Sequence, residues 1–111
     1  MGDSRPTIST HVLDTATGAP AAGVPVRLVR VIADGAEVDA GSGVTDHDGR
    51  IRELLVGDLT PGDYRLFFDL TDVGGGFFTG LALDLTVADA GRSYQVPLLL
   101  APFGMTTYRG S

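Results

Sequence analysis

The sequence predicts an all-β domain, a sandwich of about eight short strands. Three observations lead there. Apolar or alternating segments recur between turn signals at intervals of ~8–12 residues. The 16 glycines and 6 prolines of the 111-residue chain fall mostly between those segments. No window of about ten residues repeats its apolar positions with the 3.6-residue period of a packed helix.

Each strand has its own justification. Ile8 to Leu13 alternates, with Ile8, Thr10 and Val12 on one face and Ser9, His11 and Leu13 on the other. Thr17-Gly18-Ala19-Pro20 is turn chemistry. Val24 to Ile32 is β-branched and apolar, Asp34-Gly35 interrupts it, and Glu37 to Val44 reads as the hairpin return. Asp46-His47-Asp48-Gly49 turns into a strand from Arg50 to Leu55, and Thr60-Pro61-Gly62-Asp63 into one from Tyr64 to Leu70. There, Tyr64, Leu66, Phe68 and Leu70 share a face. Gly74-Gly75-Gly76 marks a flexible loop, with room for one short helix between Asp69 and Thr79. From Leu81 to Val87 the alternation predicts Leu81, Leu83, Leu85 and Val87 inward. Tyr94 to Leu100 and Met105 to Tyr108 complete the set.

The strand at Tyr94-Gln95-Val96-Pro97-Leu98-Leu99-Leu100 is apolar on both faces. Pro97 donates no backbone N–H, which points to a sheet edge or a bulge. Two arrangements would shield the outer face: an overhanging loop, or a subunit interface built on this strand. The second is the expectation.

Composition removes whole classes of function. The chain has no cysteine, which excludes disulfides, thiolate nucleophiles and cysteine metal sites. All 8 basic residues are arginines, so neither a lysine Schiff base nor a Walker-type phosphate lysine is possible. With 14 acidic residues the net charge is −6, and no arginine cluster offers a nucleic-acid-binding patch. Met1 to Thr7 lacks a signal peptide's apolar core, and the apolar runs reach about six residues against the ~20 that cross a bilayer. The expectation is a cytoplasmic protein without membrane or nucleic-acid partners. Residues 1–7 form a disordered N-terminal arm and residues 8–111 one domain.

Chemistry has few candidates. His11 projects from the face opposite Ile8, Thr10 and Val12, either as a surface side chain or as a proton carrier. Ser9, His11 and Asp14 do not make a local triad. Ser9 and His11 stand ~6.5–7 Å apart along a strand, whereas a nucleophile and its base must meet within ~3.2 Å. His47 lies between Asp46 and Asp48 in a turn that resembles a calcium loop lacking its remaining ligand positions. No metal and no cofactor are expected.

Four segments, taken in order, resemble the transthyretin-like 5-hydroxyisourate hydrolases. They are Ile8-Ser9-Thr10-His11-Val12-Leu13-Asp14-Thr15, continuing through Thr17-Gly18-Ala19-Pro20-Ala21 to Gly23-Val24-Pro25-Val26; Thr45-Asp46-His47-Asp48-Gly49-Arg50; Val96-Pro97-Leu98-Leu99-Leu100 with Pro102; and the final Tyr108-Arg109-Gly110-Ser111. The resemblance spans about Ile8 to Ser111. It implies a transthyretin/prealbumin-like eight-stranded β-sandwich, with residues 8–111 as a transthyretin-like hydrolase domain. It further implies a homotetramer, a dimer of dimers with sites in the channel between dimers. The implied substrate is a small molecule, 5-hydroxyisourate, the product of urate oxidation, whose six-membered ring is opened at an amide carbonyl.

The family's first catalytic histidine maps onto His11, its arginine onto Arg50, and its terminal motif onto substrate-binding Tyr108, Arg109, Gly110 and Ser111. Its second catalytic histidine falls on Gln95, because this chain reads Ser93-Tyr94-Gln95-Val96-Pro97. Glutamine donates and accepts hydrogen bonds but takes up no proton. Three readings stand at this point. One is a 5-hydroxyisourate hydrolase with a variant site. Another is a divergent enzyme on the same scaffold, acting on a different cyclic or carbonyl substrate. The last is a non-enzymatic small-molecule binding protein.

Overall fold

A computed structural model describes residues 5–110, within which nine strands form two sheets. In chain order they are β1 (Ile8–Asp14), β2 (Ala19–Pro20), β3 (Pro25–Val31), β4 (Glu37–Val44), β5 (Arg50–Ile51), β6 (Gly62–Asp69), β7 (Gly80–Val87), β8 (Tyr94–Ala101) and β9 (Gly104–Thr107). The first sheet runs β2-β1-β8-β9, with β5 also paired to β1, and the second runs β4-β3-β6-β7. Only β1 and β8 pair in parallel. Among the described residues the helical structure is a single 3₁₀ turn at Ala33–Gly35 in the β3–β4 hairpin, and no helix is long and apolar enough to cross a membrane.

The core follows the period of two. Ile8, Thr10 and Val12 of β1 turn inward with Val96, Leu98 and Leu100 of β8 to meet Leu28, Tyr64, Leu66 and Phe68 from the other sheet. Burying each large aliphatic side chain contributes about 1.5–3 kcal/mol. The two buried threonines have partners. Thr10 donates to the Val96 carbonyl at 2.7 Å. Thr45 donates to the Ala21 carbonyl at 2.7 Å and accepts from the Val24 N–H at 2.9 Å. Ser9, His11 and Leu13 are left half-buried on the outer face of the first sheet.

Several expectations need correction. The strand expected from Arg50 to Leu55 is only two residues long, Arg50 and Ile51, both paired to β1. Ile51 and Leu54 are both buried, a spacing of three that an extended strand cannot satisfy, so the chain bends and the Leu54 N–H bonds the Ile8 carbonyl at 3.0 Å. Leu81, Leu83 and Leu85 face inward but are only half-buried, because β7 is the edge of its sheet. The Asp69–Thr79 connection holds turns and bends rather than a helix.

Pro97 is not on an edge strand, since β8 lies between β1 and β9. The ladder nevertheless breaks at this residue. Leu98 pairs with Thr107, and pairing resumes only as a single bridge between Gln95 and Gly110. The missing N–H of Pro97 is thus accommodated where the tail leaves β8.

Of the arm expected over residues 1–7, residues 1–4 lie outside the described residues. Thr7 extends the β1–β8 pairing, its carbonyl accepting the Tyr94 N–H at 2.9 Å.

Candidate active site

The outer faces of the two sheets carry different chemistry. On the four-stranded sheet the charges are compensated: Arg65 bonds Asp84 at 2.6 Å and Glu37 at 2.7 Å, and Arg27 bonds Asp39 at 3.2 Å. These contacts hold the Arg65 guanidinium above its ordinary range. The five-stranded sheet lacks such pairing around His11. Among the described residues, neither His11 nor Arg50 makes a side-chain hydrogen bond or ion pair.

Register gathers the residues expected to act. His11 on β1 lies opposite Arg50 on β5 and opposite Pro97 on β8, and Ser9 lies opposite Gln95. Residues that oppose one another across a ladder share a sheet face. Arg50, His11 and Pro97 therefore form one row, with strands about 4.8 Å apart, and Gln95 sits about 7 Å along β8 from Pro97. His11, Arg50 and Gln95 are each half-buried on this face.

The tail crosses the same region. After Thr107, Tyr108 and Arg109 run unpaired opposite Pro97 and Val96, and the Gly110 N–H then bonds the Gln95 carbonyl at 2.8 Å. Tyr108 and Arg109 are exposed, whereas Gly110 is buried. Glycine fits this position without strain, whereas a Cβ would lie 2.5 Å from the Gln95 Oε1 and 3.1 Å from the Gln95 Cβ, so that one of the two must give. Ser111, the last expected substrate-binding residue, lies outside the described residues.

Arg50 is delivered by the Asp46–Gly49 turn, which the Asp46 carboxylate organises. The Asp46 Oδ1 accepts the Asp48 N–H at 2.9 Å and the Arg50 N–H at 3.0 Å, while Oδ2 takes the Arg52 guanidinium at 3.1 Å. The Arg50 N–H, more than any other neighbour, lowers the Asp46 carboxyl below its ordinary range, and the Asp48 N–H, Arg52 and His47 act in the same direction. Gly49, at φ 75°, follows in the left-handed region, and its carbonyl accepts the Val12 N–H at 2.8 Å. A Cβ at Gly49 would collide with the Val12 carbonyl oxygen. The available signal was an aspartate followed by N–H groups two and four residues later, an Asx turn.

Asp46, His47 and Asp48 bring ligand-type atoms within 4.8 Å of one another. Both Asp46 oxygens are already engaged in shaping the turn, so the cluster reads as an anchor for the backbone.

A cavity of about 560 Å³ opens between the sheets, bordered by Leu83, Leu85, Val87, Tyr94, Val96 and Tyr108. His11, Arg50 and Gln95 do not line it.

Comparison with known proteins places the chain in one family. The chain is 41% identical over 117 residues to the 5-hydroxyisourate hydrolase of Deinococcus radiodurans, covering 96% of this chain and 98% of that protein. It is 42% identical over 123 residues to the uric acid degradation bifunctional protein TTL of Arabidopsis thaliana, covering 97% of this chain but only 38% of the plant protein's length. The structure of Klebsiella pneumoniae 5-hydroxyisourate hydrolase superimposes with a TM-score of 0.77 at 35% identity, covering 95% of this chain and 99% of that one. The model of the HIUase/Transthyretin family matches residues 8–110, and the chain belongs to that family.

Proposed function

We propose that this protein hydrolyses 5-hydroxyisourate, opening its cyclic amide ring in the degradation of urate. The observation that carries the reading is the cross-strand pairing of His11 with Arg50, in a chain 41% identical to a 5-hydroxyisourate hydrolase.

Hydrolysis adds water to the amide carbonyl, passes through a tetrahedral oxyanion, and breaks the C–N bond as nitrogen gains a proton. Histidine is the side chain suited to carry that proton near neutral pH, and His11 is the general base in this reading. Arg50 binds the substrate anion through its fork of N–H donors and supports the developing oxyanion. Its lack of a carboxylate partner among the described residues suits it to an anionic ligand. Gln95 holds water or a ring carbonyl by hydrogen bonds. Tyr108, Arg109, Gly110 and Ser111 close the substrate side. No cofactor is required by this scheme.

The working unit is a cytoplasmic homotetramer, a dimer of dimers. Supporting this are the half-buried leucines of the β7 edge and the exposed apolar side chains Phe103, 82% accessible, and Phe77, 66% accessible.

Purified protein should accelerate the decay of freshly generated 5-hydroxyisourate. His11→Ala should lower turnover at least ~10²-fold, the scale of a general base. Arg50→Ala should raise KM and also reduce kcat. If neither substitution changes the rate, this assignment is wrong.

A second reading, a divergent enzyme on the same scaffold for another cyclic or carbonyl substrate, is favoured by one residue. Gln95 cannot accept a proton, so a reaction needing two titrating groups on this face would fail here.

A further inference from the structure

Arg50 starts a strand only two residues long. What fixes its backbone is a closed set of bonds centred on Asp46. The Asp46 N–H donates to the Arg50 carbonyl at 3.0 Å, the Gly49 N–H to the Asp46 carbonyl at 2.8 Å, and the Arg50 N–H to the Asp46 Oδ1 at 3.0 Å. Gly49 fastens the loop to β1 through the Val12 N–H. Removing the Asp46 carboxylate takes away the one of these three bonds that a side chain supplies, and so loosens the root of Arg50 as well as deleting a surface charge.

The second carboxylate oxygen matters differently. Arg50 and Arg52 are two residues apart, and the Asp46 Oδ2 pairs with Arg52 at 3.1 Å. Asp46 thereby holds the Arg50 main chain while its remaining oxygen is occupied by another guanidinium. Arg50 keeps its own charge uncompensated among the described residues.

We propose that Asp46, backed by Arg52, is the positioning residue of the site: it fixes the Arg50 backbone opposite His11, and Arg52 prevents its carboxylate from neutralising the Arg50 guanidinium. The proposal rests on the reading that Arg50 binds the substrate anion.

The test combines kinetics with amide exchange. Asp46→Ala should lower kcat/KM for 5-hydroxyisourate about 10- to 100-fold, the range reached when a substrate-positioning group shifts by about an ångström. Asp46→Asn keeps an acceptor at Oδ1 and should retain most of the activity. In an Arg50→Ala background, Asp46→Ala should cost less than about twofold more, because its effect passes through Arg50. Arg52→Leu leaves the loop's backbone bonds in place and should raise KM about two- to fivefold with kcat unchanged, on the scale of an exposed ion pair.

Hydrogen exchange at the Arg50 amide should accelerate in Asp46→Ala. This readout needs no substrate, so it decides the backbone claim even if 5-hydroxyisourate proves not to be turned over. Three results would overturn the proposal: an unchanged Arg50 amide, an Asp46→Ala loss equally large in the Arg50→Ala background, or an unchanged KM in Arg52→Leu. If Asp46→Ala does not fold, the Asp46→Asn and Arg52→Leu arms carry the same decision.

Discussion

Gly110→Ala tests how the tail is held to the site. The added Cβ would stand 2.5 Å from the Gln95 Oε1, 3.1 Å from its Cβ and 3.2 Å from its Cδ. Glycine is not needed for its backbone conformation, since Gly110 is absent from the glycines with positive φ. The obstacle is steric. The amide end of Gln95 can swing away, but its Cβ is fixed to the strand. Either Gln95 leaves its rotamer, at about 0.5–1.5 kcal/mol, or the tail lifts and loses the 2.8 Å bond from Gly110 to the Gln95 carbonyl, at about the same cost. A loss near 1 kcal/mol shifts the closed-to-open balance of the tail roughly fivefold. Amide exchange at Gly110 should quicken by that factor and kcat/KM should fall, while the melting temperature stays close to wild type because the core is untouched. Deleting residues 108–111 sets the upper limit and should abolish turnover in a folded protein. Adding Gln95→Ala to Gly110→Ala removes the 2.5 and 3.2 Å conflicts but keeps the Cβ at 3.1 Å, and should restore the exchange rate in part. Unchanged exchange and unchanged kcat/KM in Gly110→Ala would refute the claim that the Gln95–Gly110 seam holds the tail.

Two further outcomes are expected. Sedimentation at micromolar concentration should give a tetramer, and a monomer would remove the channel between dimers from the account. Stability should decline in acid through Asp46, whose carboxyl is lowered in the folded chain chiefly by the Arg50 N–H. A lowered folded value means that the contribution is complete above the ordinary 3.8 and is lost as pH falls through the folded value. Melting temperatures from pH 5 to pH 3 should therefore fall less steeply for Asp46→Asn than for wild type, and parallel curves would contradict the assignment.

Much of the sandwich is legible in the sequence because alternation is a local signal. Tyr64, Leu66, Phe68 and Leu70 read as one face, and all four are buried. What alternation does not carry is the partner of a strand. The pattern of β7 is regular, yet its leucines are half-buried because the strand is the edge of its sheet, and nothing local in the sequence says so. The missing N–H of Pro97 points to a sheet edge or a bulge. The same property instead opens a gap in an interior ladder, visible only once the tail's register is known. Arg50 and His11 are 39 positions apart in the chain, and their pairing rests on the turn that Asp46 organises. The residue types and the Asp46–Gly49 turn were readable, but the side-chain bonds by which Asp46 fixes Arg50 and the Gln95–Gly110 seam were not.

The central claim is that the His11 face performs 5-hydroxyisourate hydrolysis with glutamine at position 95. The most direct measurement is the decay of freshly generated 5-hydroxyisourate with wild-type protein and with Gln95→His, each against the spontaneous rate. The account predicts that wild type accelerates the decay and that Gln95→His preserves or raises that rate. A wild-type protein indistinguishable from the spontaneous reaction, with activity appearing only in Gln95→His, would contradict it.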